Sequence, residues 1–294
     1  MKKQLLTSLF AFLLVFSLCM GCSKAETGDK TTASDSFEVS SQKTSPVKIT
    51  LNEVAHSVFY APLYVAIEKG YFKDENIDLT LVTGFGADKT MTAVISGEAD
   101  IGFMGSEASV YMYSEGASDY VVNFAQLTQR AGNFLVARQD NEHFQWADLK
   151  GKTVLGGRKG GMPEMVFEYI LKENGIDPEK DLTIIQNIDF GSTAPAFADG
   201  RGDFTIEFEP GATSLESEGK GHVIASLGKD SGYVPYTAFS AKKSYLKENP
   251  DVIQRFTNAL QKGMDYVRSH SPSETASVIK PQFPETTLEM ITTI

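Results

Sequence analysis

The sequence predicts an α/β protein of two lobes, each a mostly parallel sheet flanked by helices. Strands and helices alternate from Pro46 onward, which is typical of parallel sheets with helices on their faces. The alternation restarts at Asp148 after an extended stretch. The stretch from Pro46 to Ile294 also reaches the size, about 250 residues, at which one core gives way to two.

The first cluster begins with VKITLNEV, whose alternation is that of a strand. APLYVAIEKGYF follows as a helix, with Pro62 at its start and Gly70 as its stop. IDLTLVT is predicted as a strand, and GADKTMTAVISGEA as a helix that ends at Gly97. DIGFMG is a short strand, after which Ser106 is expected to cap the helix EASVYMY. The strands DYVVNFAQLT and NFLVAR complete this cluster.

The second cluster repeats the pattern. LKGKTVLGG, DLTIIQN, DFTIEFE and HVIASL are predicted as strands, with a helix over 163–173 and a short one in TAPAFADG. YTAFSAKK is an extended return segment, and NPDVIQRFTNALQKGMDYV is a long helix behind it. Two such clusters joined by extended crossings form a clamshell.

Five loops follow strands and are expected to converge on one cleft, because ligands of α/β sheets lie beyond the carboxyl ends of the strands. They are the loops at 53–60, 84–88, 104–107, 156–162 and 189–193.

One of these loops, GGRKGGM at 156–162, is glycine-rich and precedes a helix. It is not a phosphate-binding P-loop, because Met162-Pro163 stands where Lys-Ser/Thr is required. Free N–H groups at a helix start that carries Pro163 favour an anion or a carbonyl oxygen. A flexible connector without a ligand remains the alternative.

The N-terminus predicts export. Residues 1–21 have a basic start and a short apolar core, as in a signal peptide. Gly21-Cys22 resembles a bacterial lipobox, although Cys19 replaces the usual leucine; an ordinary cleaved signal with an incidental cysteine is the alternative. Residues 22–46 are too polar to fold and are expected to form a disordered tether. The protein is therefore expected at the outer face of the bacterial cytoplasmic membrane, anchored by lipid on Cys22.

Composition excludes several classes of function. Removal of the signal peptide takes away two lysines, so the net charge changes from −11 to −13, which argues against nucleic acid and anionic lipid as partners. No cysteine follows Cys22, so the folded part has no disulfide and no thiolate metal cluster. The four histidines are scattered, and no GxSxG or HExxH motif occurs. We therefore expect that the protein binds no metal and no cofactor and has no catalytic residue.

Five segments in this order carry a family resemblance: APLYVAIEKGYFKDENIDLTLV, AVISGEADIGFMG, LKGKTVLGG, FADGRGDFTIEFEP and NPDVIQRFTNALQKGMDYV. Together they resemble the solute-binding proteins of bacterial ABC importers for nitrate, sulfonates, taurine and thiamine pyrimidine precursors. The resemblance implies a type II-like periplasmic-binding-protein fold. Its lobes would be 47–135 with 236–294, and 136–235. It also implies a monomer that closes on a small solute and delivers it to a permease and its ATPase.

The resemblance further implies which positions face the cleft. They lie in the five loops, at the chain crossing and in the FEP motif. These residues are Glu53, His56, Phe59, Tyr60, Gly105, Ser106, Glu107, Arg130, Gly160, Gly161, Met162, Asp189 and Glu209.

The roles of these residues stay open at this point. Phe59 and Tyr60 can stack on a ring or simply pack. Glu107 can bind the solute or complement a helix dipole. Arg130 can clamp a carboxylate or sulfonate, and a salt bridge at the crossing is equally credible. Glu209 can accept hydrogen bonds from an amino or ring N–H group.

Ligand identity has two candidates: a polar heteroaromatic such as a pyrimidine or vitamin precursor, and a small organic anion such as a sulfonate. A pyrimidine-synthesising enzyme of the same fold is disfavoured, because that branch depends on a cysteine-rich segment. A surface adhesin or sensory module is supported only by the tether and by RGD at 201–203, which is better explained as a tight turn. The sequence stops at EMITTI inside a predicted helix, and both a natural end and a truncation of lobe 1 remain open.

Overall fold

A computed structural model describes residues 45–294. The expected signal peptide, Cys22 and most of the tether lie outside these residues. The strands are β1 (Val47–Glu53), β2 (Ile77–Thr83), β3 (Ile101–Gly105), β4 (Val121–Thr128), β5 (Asn133–Ala137), β6 (Thr153–Leu155), β7 (Thr183–Ile185), β8 (Phe204–Phe208), β9 (His222–Ser226) and β10 (Thr237–Lys242).

The helices lie between the strands and behind them. They are α1 (Ala61–Glu68), α2 (Tyr71–Asp74), α3 (Ala87–Ser96), α4 (Glu107–Ser114), α5 (Met162–Glu173), α6 (Thr193–Ala198), α7 (Gly211–Ser217), α8 (Leu227–Asp230), α9 (Lys243–Glu248), α10 (Pro250–Ser269), α11 (Pro272–Ile279) and α12 (Leu288–Thr293). Among the described residues, no helix combines the length and apolar character that a membrane span requires.

The strands form two five-stranded sheets, which define two lobes. Sheet 1, of lobe 1, has the order β2-β1-β3-β10-β4, and sheet 2, of lobe 2, has the order β7-β6-β8-β5-β9. In each sheet one strand is reversed: β10 is antiparallel to β3 and β4, and β5 is antiparallel to β8 and β9. The remaining strands of each sheet run in one direction, so the predicted two-lobed α/β class is confirmed.

One strand lies in a different lobe from the one predicted. NFLVAR was expected to complete the first cluster, but β5 is hydrogen-bonded to β8 and β9 of sheet 2. The chain therefore crosses between β4 and β5. The alternation of a strand indicates that one face is buried but does not indicate which strands are its neighbours. The residue limits predicted for the lobes stay a prediction.

Helix α10 holds the C-terminal part of the chain against lobe 1. Its Phe256 is buried and contacts the ring of Phe72 on α2 and the ring of Phe239 on β10, with centroids 5.1 and 5.4 Å apart. Gly263 lets α10 approach α1 closely, since a Cβ there would collide with the Pro62 carbonyl. This packing fixes the start of α1, and with it the loop before α1, on the face where β1 ends.

Candidate functional site

A narrow cavity lies between the lobes and is lined by residues of all five loops. Tyr60, Ala87, Gly105, Met162 and Phe190 represent the five loops in its lining. The expectation that these loops converge is confirmed. The cavity has a volume of about 10 Å³, room for roughly one water molecule. We call it the inner cavity.

Glu107 is the buried acidic group of the inner cavity. It begins α4, and 6% of its surface is exposed. Its Oε1 accepts a hydrogen bond from the Met162 N–H of lobe 2 at 2.8 Å, whereas Oε2 makes no hydrogen bond of ordinary geometry with any described residue. A Cβ at Gly105 would collide with the carboxylate, so glycine is needed beneath it.

Burial raises the pKa of the Glu107 carboxyl to about 7. The N–H groups of Glu107 itself, Met162 and Ala108 act in the opposite direction, but burial is the larger cause. A carboxyl in this position can therefore exchange its proton near neutral pH.

Two tyrosines form the floor of the inner cavity. Tyr60 is fully buried, with its ring edge-on to Phe103 at 4.6 Å between centroids. Its hydroxyl lies beside Thr237 without a hydrogen bond of ordinary geometry, and burial raises its pKa. The hydroxyl of Tyr236 donates to Asn133 Oδ1. The inner cavity is thus lined by two residues whose buried polar atoms, Glu107 Oε2 and the Tyr60 hydroxyl, make no hydrogen bond of ordinary geometry with the described residues.

The lobes are held together around this cavity by polar contacts. The Ser57 hydroxyl donates to the Glu209 carbonyl at 2.6 Å. Four charged side chains also form ion pairs between the lobes, and we call them the interlobe ion cluster. They are Asp88 and Lys89 of lobe 1, and Arg158 and Asp189 of lobe 2. Lys89 Nζ lies 2.7 Å from Asp189, and Arg158 pairs with both Asp88 and Asp189.

A second space adjoins the inner cavity and shares part of its lining. This outer cavity, about 250 Å³, shares Ala87, Glu107 and Gly161 with the inner one and is also lined by Gly160 and Arg158. Glu107 therefore stands between the two spaces.

The structure brings together five of the predicted site residues in the inner cavity. They are Tyr60, Gly105, Glu107, Gly161 and Met162. Two more lie nearby, since Gly160 lines the outer cavity and Asp189 belongs to the interlobe ion cluster.

The glycine loop is predicted to bind an anion or a carbonyl oxygen of the solute, but in this structure three of its N–H groups donate to acceptors of the protein itself. The N–H of Gly160 donates to Glu164 Oε2 at 2.9 Å, that of Gly161 to the Arg158 carbonyl at 3.2 Å, and that of Met162 to Glu107. The start of α5 does bind carboxylates, but they belong to the protein.

Glu53 and His56 do not line the inner cavity. The Glu53 carboxylate accepts from Tyr64, Thr83 and His56 at 2.7 to 2.8 Å. The second ring nitrogen of His56 lies 2.8 Å from the Gln282 carbonyl. These two side chains tie the loop after β1 to α1 and to the C-terminal segment.

The remaining predicted residues have other contacts. Phe59 packs edge-on to Tyr236, with centroids 6.1 Å apart, and Glu209 accepts from Thr213 on α7. Arg130 donates to the Gly228 carbonyl at 2.9 Å and covers the ring of Tyr233.

The sequence predicts that Ser106 caps α4, but its side chain makes no capping hydrogen bond. Its hydroxyl donates to the Pro235 carbonyl at 2.5 Å. The cap is absent because Ser106 has helical backbone angles (φ −64°, ψ −22°) and not the extended ones of a capping residue, so its oxygen does not accept from the first turn of α4.

Several lining residues were not among the predicted contacts, notably Phe190, Phe208, Tyr236 and Thr237. Tyr236 and Thr237 reach the cavity because β10 is reversed: Thr237, at its beginning, pairs with Gly105, at the end of β3. The signal in the sequence that could have identified Tyr236 and Thr237 is an aromatic residue followed by a hydroxyl residue at the start of the return strand.

The comparisons with known proteins agree with this architecture. The family model described as NMT1/THI5 like matches residues 58–274. A protein of Bacillus subtilis (strain 168) named "Putative binding protein YtlA" is 52% identical over 252 residues, which cover 86% of this chain and 75% of that protein. A 4-amino-5-hydroxymethyl-2-methylpyrimidine phosphate synthase of Candida albicans (strain WO-1) is 23% identical; the match covers 72% of this chain and 64% of the synthase, just under two thirds of its length.

Solved structures show the same fold at low identity. The alkanesulfonate-binding protein SsuA from Xanthomonas axonopodis pv. citri, bound to MOPS, superposes with a TM-score of 0.71 at 16% identity. The match covers 84% of this chain and 82% of that one. The chain thus shares its overall fold with this protein. The chain belongs to the NMT1/THI5-like family, with the two-lobed α/β fold of periplasmic binding proteins.

Proposed function

We propose that the protein is an extracytoplasmic receptor that captures a small solute between its lobes and delivers it to an ABC importer. The inner cavity and the outer cavity that adjoins it carry this proposal, since both lobes line both spaces and the outer one supplies about 250 Å³ for a solute that reaches inward to Glu107. A ligand that touches both lobes stabilises the closed form over an open one, which is the basis of hinge closure. Lipid on Cys22 would hold the receptor at the outer face of the cytoplasmic membrane, next to the permease and its ATPase.

A binding role fits the lining better than catalysis does. The described residues that line the inner cavity include no histidine, cysteine, lysine or serine, so the Ser–His, Cys–His and Schiff-base arrangements of many enzymes are not found in that lining. A pyrimidine synthase remains the second candidate, because the Candida albicans relative bears that name. It is disfavoured because the sequence has cysteines only at positions 19 and 22.

The solute is a small polar molecule, and the cavity walls favour a polar heteroaromatic over a small organic anion such as a sulfonate. Phe190 and Phe208 meet edge-on in the lining, with centroids 5.6 Å apart, beside the rings of Tyr60 and Tyr236. Aromatic side chains of this kind provide flat apolar surface for a ring.

The decisive experiment measures capture and chemical fate together. The mature chain is incubated with a library of vitamins, pyrimidines, sulfonates and amino acids, and bound molecules are released by denaturation and weighed by mass spectrometry. We expect one class of solute to be recovered with unchanged mass and to raise the melting temperature. Recovery of a product in place of the added molecule would show that the protein is an enzyme.

A further inference from the structure

Resting on the proposed function, we propose that Glu107 determines specificity and couples it to closure. Its Oε2 would bind an N–H donor or cationic nitrogen of the solute, while its Oε1 holds lobe 2 through the Met162 N–H. One carboxyl group would then recognise the ligand and retain the closed state.

The two oxygens of Glu107 differ in their surroundings. Oε1 is paired across the lobes, and Oε2 is buried beside the inner cavity without a hydrogen bond of ordinary geometry. Buried acceptors are nearly always satisfied in folded proteins, so an unsatisfied one beside a cavity indicates a donor in that cavity, either a water molecule, for which the inner cavity has room, or a solute that displaces it. A nitrogen that carries hydrogens supplies that donor, and a positive charge strengthens the bond.

An anionic solute finds little to bind in this cavity. Among the described residues of its lining there is no arginine or lysine. The nearby Arg158 is already paired with Asp88 and Asp189. The N–H groups of Gly160, Gly161 and Met162 are occupied by protein acceptors. Lys159 lines the outer cavity, so an anion could meet a cation on that side, but inside the inner cavity it would meet the Glu107 carboxyl without a compensating charge.

The aromatic walls favour the same nitrogenous class. Phe190, Phe208, Tyr60 and Tyr236 all line the inner cavity. Aromatic rings attract a cation through the negative charge of their faces and also accept flat rings. The expected solute is small, and it presents an amino or amidine-like nitrogen to Glu107.

The test compares two nitrogen probes, 4-aminopyrimidine and benzamidine, with two anions, ethanesulfonate and nitrate, by calorimetry on the mature chain. We expect binding of at least one nitrogen probe and of neither anion. Glu107→Gln should weaken that binding by at least tenfold, because the amide carries no charge and offers a poorer acceptor. It retains an acceptor for the Met162 N–H, so the fold should persist, as circular dichroism can check.

The matched control is Glu98→Gln, which makes the same charge change at an exposed position of lobe 1 and should leave affinity within about twofold. Closure is followed by small-angle scattering, in which the nitrogen probe should compact the parent and not Glu107→Gln. Binding of the anions, failure of both nitrogen probes to bind, or equal affinity in Glu107→Gln would overturn the inference. An anion bound and recovered unchanged would still leave the receptor function intact, whereas a chemically altered probe would refute that function itself.

Discussion

Glu53 and Glu107 are buried carboxyl groups at the carboxyl ends of neighbouring strands of sheet 1, Glu53 as the last residue of β1 and Glu107 two residues after β3, and their hydrogen bonds differ. Glu53 is fully buried, and Tyr64, Thr83 and His56 surround its carboxylate with hydrogen-bond partners. Glu107 has one hydrogen bond of ordinary geometry, from the Met162 N–H to Oε1, and its Oε2 has none beside the cavity. A carboxylate whose acceptor sites are filled by its own fold stabilises that fold, and one with an unfilled site is available to a ligand.

The largest expected difference between Glu53 and Glu107 is the effect of their substitution on the free energy of unfolding. Glu53→Ala should lower the free energy of unfolding by about 4 kcal/mol, because it leaves three donors without their acceptor in or near the core. Urea denaturation of parent and variant measures this loss. Glu98→Ala, at an exposed site, is the control and should change stability by less than about 0.5 kcal/mol. A small loss in Glu53→Ala would mean that Glu53 is not the anchor of this network.

Glu107→Gln should instead raise the free energy of unfolding at neutral and higher pH. The folded-state pKa of Glu107, about 7, lies above the ordinary value of 4.5. The unfolded chain therefore releases this proton first, and folding becomes less favourable as the pH rises from about 4.5 to about 7. At about pH 8 the carboxylate should cost about 3 kcal/mol, which glutamine recovers.

This gain should vanish below about pH 4.5, where the carboxyl is protonated in both states. Urea denaturation of parent and Glu107→Gln across this pH range measures it. A variant less stable than the parent at about pH 8 would contradict the comparison, because Glu107 would then behave as Glu53 does.

Sequence reasoning reached the architecture and the loops but could not separate these two carboxyls. The strand-then-helix alternation predicts which loops meet, and Tyr60, Glu107 and Met162, which the family resemblance assigned to the cleft, line the inner cavity. That they contact a solute stays a prediction. The partners of Glu53 come from α1 and from β2, and those contacts depend on how the elements pack. Which lobe holds β5 was likewise set by pairing, which alternation does not encode.

A smaller effect concerns the contacts that keep the lobes closed. Arg158→Met removes the ion pairs between Arg158 and Asp88 across the lobes and between Arg158 and Asp189 within lobe 2. The side chains are partly exposed, so we expect about 1 kcal/mol, or about a fivefold loss of affinity for the nitrogen probe. The loss should shrink in high salt.

Lys172→Met is the matched control for that variant, since it breaks an exposed ion pair within α5 and does not bridge the lobes. Calorimetry at low and high salt should show no change of affinity in Lys172→Met. An equal loss in both variants would assign the effect to overall charge and not to closure.

The smallest effect is expected at Arg130, whose candidate role was to clamp an anionic group. Its guanidinium contacts the Gly228 carbonyl and the ring of Tyr233, 4.0 Å away, and Arg130 does not line the inner cavity. Arg130→Ala should therefore leave affinity for the nitrogen probe within about twofold, by calorimetry, and lower the melting temperature slightly through the lost contacts. A tenfold loss would show that Arg130 reaches the solute when the lobes move, and the distinction between filled and unfilled polar groups would then fail as a guide to this site.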